Sequence, residues 1–416
     1  MDKEVDILII GGGITGISLA SFLKTSDYLI IEKDSELGGY CKTTISNDYI
    51  WDYSGHFFHF NNNEIKNYLI NNIDCEIVTV NKVCYVYYNK QLIDYPFQNN
   101  IHQLNENEYL ECLEDLKNKE DLKINTFTDY IVSNLGNAIC NKFVKPYNQK
   151  LYACDLDQLD FDAMGRFFPK LLDYNNYSSG LSFKHKQTTY NDTFIYPKGG
   201  SYEFIKSLLK RVNSNNISVN NEVHSIDINE KKVITSKGTI KYNKLVNTIP
   251  FNHLLKLSGE ESKNLSWNKV VVFNMGFDSP SDIDANWIYY PGNEIFYRVG
   301  FYNNIFKTDK MSLYVEIGMK HNELFDEKVT LNSILNDLQS VGIIKNQILV
   351  DYQVIAMNPA YVHITKQSKS IYSKWCEKNN TKDVYSIGRY GSWTYCSIED
   401  NIIQAQELAL RLNQQL

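Results

Sequence analysis

Residues 5–16 read VDILIIGGGITG, and this stretch decides the fold. Its first six residues are an apolar run of strand length, and apolar residues at helical spacing follow the glycines. Gly11 permits a tight turn, and Gly13 lets a diphosphate approach the backbone. Gly16 lets the helix pack closely on the strand. The pattern predicts a strand, a turn and a helix that together bind a dinucleotide.

A second short strand, residues 28–31, ends in Glu32, which is placed to accept hydrogen bonds from a ribose. Ile14 and Thr15 open the helix, where its amino terminus would bind anionic oxygens. The strand, the helix and the acidic residue make this signal far more specific than the glycines alone. They indicate an α/β fold with a doubly wound, Rossmann-like domain.

The residues after Glu32 distinguish FAD from NAD. The string EKDSELGGYCKT, residues 32–43, resembles the second glycine motif of the flavin amine-oxidase superfamily. In that family the glycines at Gly38 and Gly39 pass beside the flavin and its phosphates, and a basic residue is usual at Lys42. The resemblance implies that FAD is bound non-covalently. Lys33 would lie next to Glu32, the carboxylate that binds the ribose. Residues 221–226 look like the strand that meets adenine and supply Val223.

Composition limits the classes of function. The chain has 416 residues and a net charge of −7, which argues against a nucleic acid or an anionic membrane as the main partner. No run reaches the roughly 18 to 20 apolar residues that span a bilayer, and residues 1–6 lack the form of a signal peptide. We therefore expect a cytoplasmic protein. Eight scattered cysteines without a C-x-x-C pair indicate reduced thiols and no metal.

Changes in the pattern of apolar and polar residues along the chain predict three domains. Residues 1–80, 195–255 and 381–416 would form a discontinuous FAD-binding domain. Residues 100–165 read as an inserted helical domain, in which Thr128 and Asp129 can cap a helix that ends before Gly136. An amphipathic helix at 400–414 would close the chain on the FAD-binding domain. An antiparallel β-sheet substrate domain is predicted from alternating apolar residues, with a helix at 330–342 between its strands. Its segments are 81–99, 166–194 and 256–380.

The loop DYPFQNNI, residues 94–101, is a poor strand and a poor helix because Pro96 removes a hydrogen-bond donor. It offers two aromatic rings and an amide, as a pocket for a heterocycle would, although an ordinary turn explains the same composition. Five other strings accompany it. They are SGH at 54–56, KPYN at 145–148, WIYYP at 287–291, IFYR at 295–298 and GRYGSWTY at 388–395.

Together these strings resemble the UDP-galactopyranose mutases, the eukaryotic type more than the bacterial type. The resemblance implies that Arg298 grips the diphosphate of a nucleotide sugar, with Arg166 as its partner on a mobile flap. It places His56, Gly55, Gly388 and Arg389 at the flavin, and Arg389 also at the sugar. An ordinary buried histidine remains the alternative for His56, and an exposed helix residue for Arg166.

The same resemblance assigns the remaining substrate residues. Tyr95, Phe97 and Gln98 match the uracil loop. Trp287 and Asn191 would contact the sugar, and Asn148 belongs to the matching KPYN string. Tyrosines around the diphosphate would be Tyr289, Tyr361 and Tyr395. The family usually places a tryptophan where Tyr152 stands, so the identity of the sugar stays open.

The resemblance implies an isomerase in which N5 of reduced FAD attacks the anomeric carbon and releases the nucleoside diphosphate. NAD(P)H is a candidate reductant, and the oligomeric state stays open. A rival is an amine-oxidase or desaturase-like enzyme that passes a hydride to FAD and then to oxygen. A non-catalytic flavoprotein is a third reading. The rival explains the glycine motifs equally well, but it does not explain two arginines among tyrosines.

Overall fold

A computed structural model describes residues 2–118, 123–168 and 192–415 of the chain. Within these ranges it contains two large sheets of seven strands each and two small two-stranded sheets. The strands are β1 (Lys3–Ile10), β2 (Tyr28–Ile31), β3 (Thr43–Ser46), β4 (Tyr49–Asp52), β5 (Ile77–Asn81), β6 (Cys84–Tyr88), β7 (Gln91–Asp94), β8 (Thr193–Pro197), β9 (Ile217–Ser218), β10 (Val223–Asp227), β11 (Lys232–Thr235), β12 (Gly238–Asn247), β13 (Asn268–Phe277), β14 (Trp287–Tyr289), β15 (Arg298–Phe301), β16 (Ser312–Lys320), β17 (Leu349–Met357) and β18 (Val384–Ser386). The helices are α1 (Ile14–Phe22), α2 (Asn63–Ile70), α3 (Glu106–Lys117), α4 (Phe127–Ile139), α5 (Lys145–Tyr152), α6 (Tyr202–Leu209), α7 (Phe251–Leu257), α8 (Asn303–Phe306), α9 (Glu327–Ser340), α10 (Lys366–Asn379), α11 (Gly388–Gly391) and α12 (Ile398–Asn413).

The first sheet has the strand order β10-β11-β12-β1-β2-β9, and β18 also pairs with β12. Strand β1 runs parallel to both β2 and β12. Helix α1 follows β1 directly and packs against α12 and α6. Parallel strands covered by helices are buried on both faces, which is why residues 7–10 form a continuous apolar run. The predicted α/β fold with a Rossmann-like domain is confirmed.

The second sheet has the order β17-β13-β16-β15-β14-β6-β7 and is antiparallel except where β14 meets β6. Strand β13 lies inside this sheet, and all ten of its residues are buried. Its exposed and buried positions therefore do not alternate. Helix α9 begins three residues before the predicted position because the Asp326 side chain accepts a hydrogen bond from the Val329 N–H. The antiparallel sheet is as predicted. The three-part division of the chain remains a prediction.

The helical segment differs from the prediction in the residue that caps its second helix. Helix α4 is capped by Thr126 together with Asp129, in a reciprocal capping box, and Thr128 is already inside the helix. Gly136 interrupts the helix as predicted: with φ 74° and ψ 170° it is not helical, and it forms a kink after which a further helical turn runs to Ile139. Only glycine fits there, because an added Cβ would lie 2.3 Å from the Asp115 carboxylate.

Helix α5 reaches the second sheet through a close backbone contact. A Cβ on Gly318 of β16 would lie 1.9 Å from the carbonyl oxygen of Lys150, so glycine permits this approach. The contact brings Tyr147 and Asn148 of α5 to the face of the sheet, where they line a cleft. In the part of the chain that the structure describes, every helix is too short or too polar to cross a membrane.

Candidate active site

The register of the second sheet brings distant residues into two rows on one face. Tyr289, Arg298 and Glu316 are direct neighbours across β14, β15 and β16. Two residues further along each strand, Trp287, Gly300 and Tyr314 form the second row. Side chains two residues apart point to the same face of a sheet, so both rows face the same cleft. Strand pairing, and not proximity in the sequence, assembles this wall.

Gly300 makes room for a ring in the second row. A Cβ at this position would lie 1.9 Å from the Tyr314 ring, so the tyrosine lies directly over the glycine backbone. The Tyr314 hydroxyl in turn approaches Gly55, where a Cβ would be 2.4 Å away. The two glycines therefore let the sheet and the 54–56 turn close on one aromatic side chain.

Arg298 is held by a carboxylate that the sequence analysis missed. Its Nη2 donates to Glu316 Oε1 at 2.8 Å, and its Nε donates to Oε2. The hydroxyl of Ser54 also donates to the same carboxylate. The Glu316 side chain is 1% exposed and that of Arg298 is 19% exposed. Burial opposes the charge of Arg298, but the carboxylate outweighs it and the pKa of the guanidinium is raised.

A second guanidinium, that of the partly buried Arg389, lies against two tyrosine rings of the cleft, although Arg389 itself is not among the residues that line it. Its Nη1 donates to the carbonyl of Cys396 at 3.2 Å, and the rings of Tyr395 and Tyr361 lie 4.6 and 5.2 Å from its guanidinium carbon. No carboxylate of the described residues lies within 4.0 Å of this group. Asn401 of α12 fixes the arginine by accepting from its backbone N–H at 2.7 Å. The same Asn401 oxygen accepts from the hydroxyl of Thr15 at 2.9 Å.

Aromatic residues surround the cleft, which has a volume of about 180 Å³. The ring of Tyr289 lies 4.9 Å from that of Tyr95 and 5.1 Å from that of Tyr147. Tyr361 and Tyr395 are stacked at 5.8 Å on the opposite side. The cleft is lined in addition by Gly55, Phe57, His59, Gln98, Phe143, Val144, Asn148, Leu151, Met164, Phe167, Phe168, Trp287, Arg298 and Tyr314.

Two polar atoms of residues lining this cleft are buried and have no hydrogen-bond partner in the described structure, namely Asn148 Oδ1 and Trp287 Nε1. The Asn148 amide donates through Nδ2 to the carbonyl of Val144 at 2.7 Å, so its free atom is an acceptor. The indole offers a donor. Such atoms are costly to bury without partners, so the cleft wall offers one acceptor and one donor to a water molecule or a ligand.

His56 lies beside these charges, and its Nδ1 is also buried without a partner. Burial lowers the pKa of His56 to about 4; the Arg389 charge adds to the shift and Glu316 opposes it. The imidazole is therefore neutral near pH 7. His59 lines the cleft, and burial likewise lowers its pKa to about 4 against the hydrogen bond to the Thr193 carbonyl.

Four residues predicted for the substrate site lie elsewhere or outside the described chain. Phe97 is fully buried and packs on Tyr88 and Phe143 behind the loop, because neighbours on a tight turn point in different directions and Gln98 takes the cleft side. Tyr152 is 1% exposed and packs behind Tyr361, not in the cleft.

Arg166 is half exposed and forms an ion pair of 2.7 Å with Asp400 near the start of α12. It is not among the residues that line the cleft, although Met164 and Phe167 on either side of it are. Asn191 lies outside the described residues. Ser54 and Tyr147 belong to the strings SGH and KPYN but had been given no role. Glu316 and Asn401 were missed, and only the alternation of β16 offered a signal for Glu316.

The glycine-rich turn fits the diphosphate of FAD. A Cβ on Gly13 would meet only the Cα of Gly39, at 4.0 Å, so open space lies between the two glycine motifs. Gly13 caps α1 without any side chain, which leaves the first N–H groups of the helix for an anion. At Gly16 a Cβ would lie 2.1 Å from the Gly11 carbonyl oxygen, which shows how closely helix and strand pack.

The other residues predicted to bind the cofactor surround this turn. Glu32 accepts from the N–H groups of Gly12 and Asp34, and each carboxylate oxygen keeps a second lone pair for a ribose hydroxyl. Lys42 is paired with Asp34 at 2.9 Å, whereas Lys33 is exposed. Gly38 donates to the Gly12 carbonyl at 2.7 Å. Val223 begins β10, and Gly388 lies against Thr15 at the start of α1.

Comparison with known proteins gives a family and a fold. The profile described as "flavin containing amine oxidoreductase" matches residues 14–399. A crystal structure of reduced UDP-galactopyranose mutase is similar with a TM-score of 0.92 and 19% identity, over 99% of this chain and 94% of that one. A fatty acid isomerase from P. acnes is similar with a TM-score of 0.66 and 13% identity, over 98% of each chain. Cyclohexylamine oxidase from Brevibacterium oxydans is similar with a TM-score of 0.70 and 11% identity, over 99% of each chain.

The glycine geometry predicts different effects for two alanine substitutions. Gly13→Ala meets no protein atom, so the flavin-free protein should keep its thermal stability. Its FAD affinity should fall at least about tenfold, because the methyl group occupies the phosphate space at a cost of about 1–3 kcal/mol. Gly16→Ala should destabilise the flavin-free fold itself. Thermal unfolding of the flavin-free proteins measures their stability, and fluorescence titration of the same proteins with FAD measures the affinity. Equal losses of stability in the two variants would contradict this assignment.

The lowered pKa of His56 predicts a pH dependence of stability. Below about pH 6.5 the unfolded chain takes up a proton at this histidine, whereas the folded protein does not until about pH 4. The free energy of unfolding should therefore fall over this window, and His56→Gln should lose that component. Urea denaturation of both flavin-loaded proteins at about pH 7.5 and about pH 5 measures it. An identical pH dependence in both would show that His56 is not held neutral.

Proposed function

The chain belongs to the flavin containing amine oxidoreductase family, whose cofactor is FAD, and we propose that it is a mutase for a nucleotide sugar. The reaction would interconvert the pyranose and furanose forms, with UDP-galactopyranose or a close analogue as substrate. One observation carries this proposal. Arg298 lines a cleft walled by tyrosines, and Arg389 lies against two of those rings, Tyr361 and Tyr395. Two unpartnered polar atoms of the same walls suit a hydroxylated ligand.

The charges of this cleft favour an anionic ligand. Glu316 compensates Arg298, and His56 is neutral. Arg389 contacts carbonyls and tyrosine rings and forms no ion pair within the described residues. Two guanidinium groups thus face one carboxylate, which leaves one positive charge in excess. A desolvated guanidinium binds phosphate oxygens strongly through its planar fork of donors. A diphosphate between the arginines would supply the missing negative charge.

The other wall residues would bind and orient the sugar and the base. We assign the Asn148 oxygen and the Trp287 indole to sugar or ribose hydroxyls, and Gln98 with Tyr95 to the base. Tyr289, Tyr361 and Tyr395 would frame the diphosphate by contact and hydrogen bonds. Arg166 would join them if its pair with Asp400 opens, and Asn191 stays assigned to the sugar by resemblance.

Reduced FAD would supply a nucleophilic nitrogen for the anomeric carbon, so the chain itself needs no nucleophilic side chain. The residues of the chain would do the rest. Arg298 stabilises the negative charge that develops on the leaving diphosphate. The neutral His56 imidazole leaves the positive charge to the two arginines. The aromatic walls exclude water from the anomeric carbon and hold it in one orientation.

Reducing conditions distinguish this proposal from an oxidase. The protein is reduced with dithionite or NAD(P)H and incubated with UDP-, dTDP- and GDP-hexopyranoses, and new furanose signals are sought by NMR. A mutase should form the furanose over many turnovers while consuming far less than one equivalent of reductant, because ring contraction changes no oxidation state. A protein that produces hydrogen peroxide from an amine in air and no furanose under reduction is an oxidase instead.

The loop at residues 94–101 predicts a preference for uracil. Gln98 is 2% exposed and lines the cleft, so Gln98→Ala should weaken inhibition by UDP about tenfold, the cost of losing a buried hydrogen bond to the base. Inhibition by GDP and ADP should change much less. Gln103→Ala is the matched control, because this amide binds Asp94 outside the cleft. If the native protein binds GDP best, the uracil assignment is wrong even though the mutase reaction could stand.

A further inference from the structure

We propose that Glu316 is a positioning residue that sets both the orientation and the effective charge of Arg298. This inference rests on the proposed function and deepens it, because it names the group that tunes how tightly the leaving diphosphate is held. Glu316 touches neither cofactor nor substrate in this assignment. It acts through the arginine.

The orientation follows from strand pairing. Arg298 and Glu316 face each other across β15 and β16, and the carboxylate accepts from both Nε and Nη2 of the guanidinium. A two-point contact between a planar fork and a carboxylate fixes the plane of the guanidinium as well as its position. The edge formed by Nη1 remains for a ligand. Arg298 therefore presents its donors in one direction without waiting for the substrate.

A third contact ties this pair to the turn beside the cleft. Ser54 has φ 150°, a backbone conformation that residues other than glycine rarely adopt. Its hydroxyl donates to Glu316 Oε1. The next residue, Gly55, lines the cleft under the Tyr314 hydroxyl. Because one carboxylate holds Ser54 and Arg298, the cleft floor and the arginine keep a fixed relative position. A residue needed only for the β15–β16 pairing would not require this third partner.

The same carboxylate also limits the attraction for anions. With Glu316 charged, Arg298 contributes little net charge, and a diphosphate is attracted mainly through the excess charge of Arg389. A neutral residue in place of Glu316 would raise the positive potential at the phosphate position. Binding of the product would become tighter, although the arginine would lose its fixed orientation. Affinity and turnover should therefore change in opposite directions, which general damage to the fold does not produce.

The experiment compares Glu316→Gln with the native flavin-loaded protein, using inorganic pyrophosphate as an anion probe. We expect pyrophosphate to bind roughly tenfold more tightly, the size of effect that one charge at this range has on another. Because the glutamine amide donates where Arg298 Nη2 needs an acceptor, kcat should fall about a hundredfold while KM does not rise. Calorimetry gives the affinity, and furanose formation gives kcat and KM.

A weaker pyrophosphate affinity together with a higher KM would overturn the proposal, as would an unchanged kcat. Glu316→Asp keeps the charge but withdraws it by one methylene, so it should keep the native pyrophosphate affinity and still lose kcat. If the glutamine variant does not fold, this aspartate variant tests the proposal in its place. Glu327→Gln, the same change at an exposed position of α9, should alter neither quantity. If the native protein forms no furanose, the mutase proposal fails, whereas the pyrophosphate titrations still test Glu316.

Discussion

The ion pair between Arg298 and Glu316, which face each other across two neighbouring strands, is the interaction on which the cleft depends. An ion pair with one member 1% exposed is expensive to separate, since removal of either partner leaves a buried charge at a cost of about 3–5 kcal/mol. The register of β15 and β16 is therefore fixed by electrostatics as well as by apolar packing. The rest of the cleft follows from that register, because Tyr289, Trp287 and Tyr314 take their places in the same two rows.

The second constraint is that the two sheets must meet at one cofactor. Asn401, close to the carboxyl end of the chain, accepts from Thr15 at the start of α1 and from the backbone of Arg389. One amide thus fixes the final helix to the glycine-rich turn and orients the second arginine. The contact at Gly388, where a Cβ would lie 2.4 Å from the Thr15 hydroxyl, leaves no room for another arrangement. The anion site of α1 and the cleft are consequently held in a fixed relation.

Oxidases and isomerases share this fold, so fold alone does not decide the reaction. The surroundings of the cofactor decide it. An amine substrate would be suited by an apolar cage or by carboxylates. Here Arg298 lines the cleft, Arg389 lies against two of its tyrosine rings, and among the described residues Glu316 is the one carboxylate paired with either arginine. A nucleotide diphosphate uses that imbalance. The proposal therefore depends on charges counted in the tertiary structure, together with two buried polar atoms that await hydroxyl partners.

The sequence alone determined what local rules can specify. The turn at residues 11–16 requires its glycines because backbone atoms meet there. The apolar run before it has the length of a strand and stops at these glycines, so a buried strand and the FAD domain were predictable. The alternation of strands such as β16 predicted the antiparallel sheet. The tertiary structure alone decided which residues meet. Glu316 pairs with Arg298 through register, Phe97 and Tyr152 pack behind the cleft, and Arg166 binds Asp400. These outcomes depend on packing and charge between segments far apart in the chain, which no local pattern encodes.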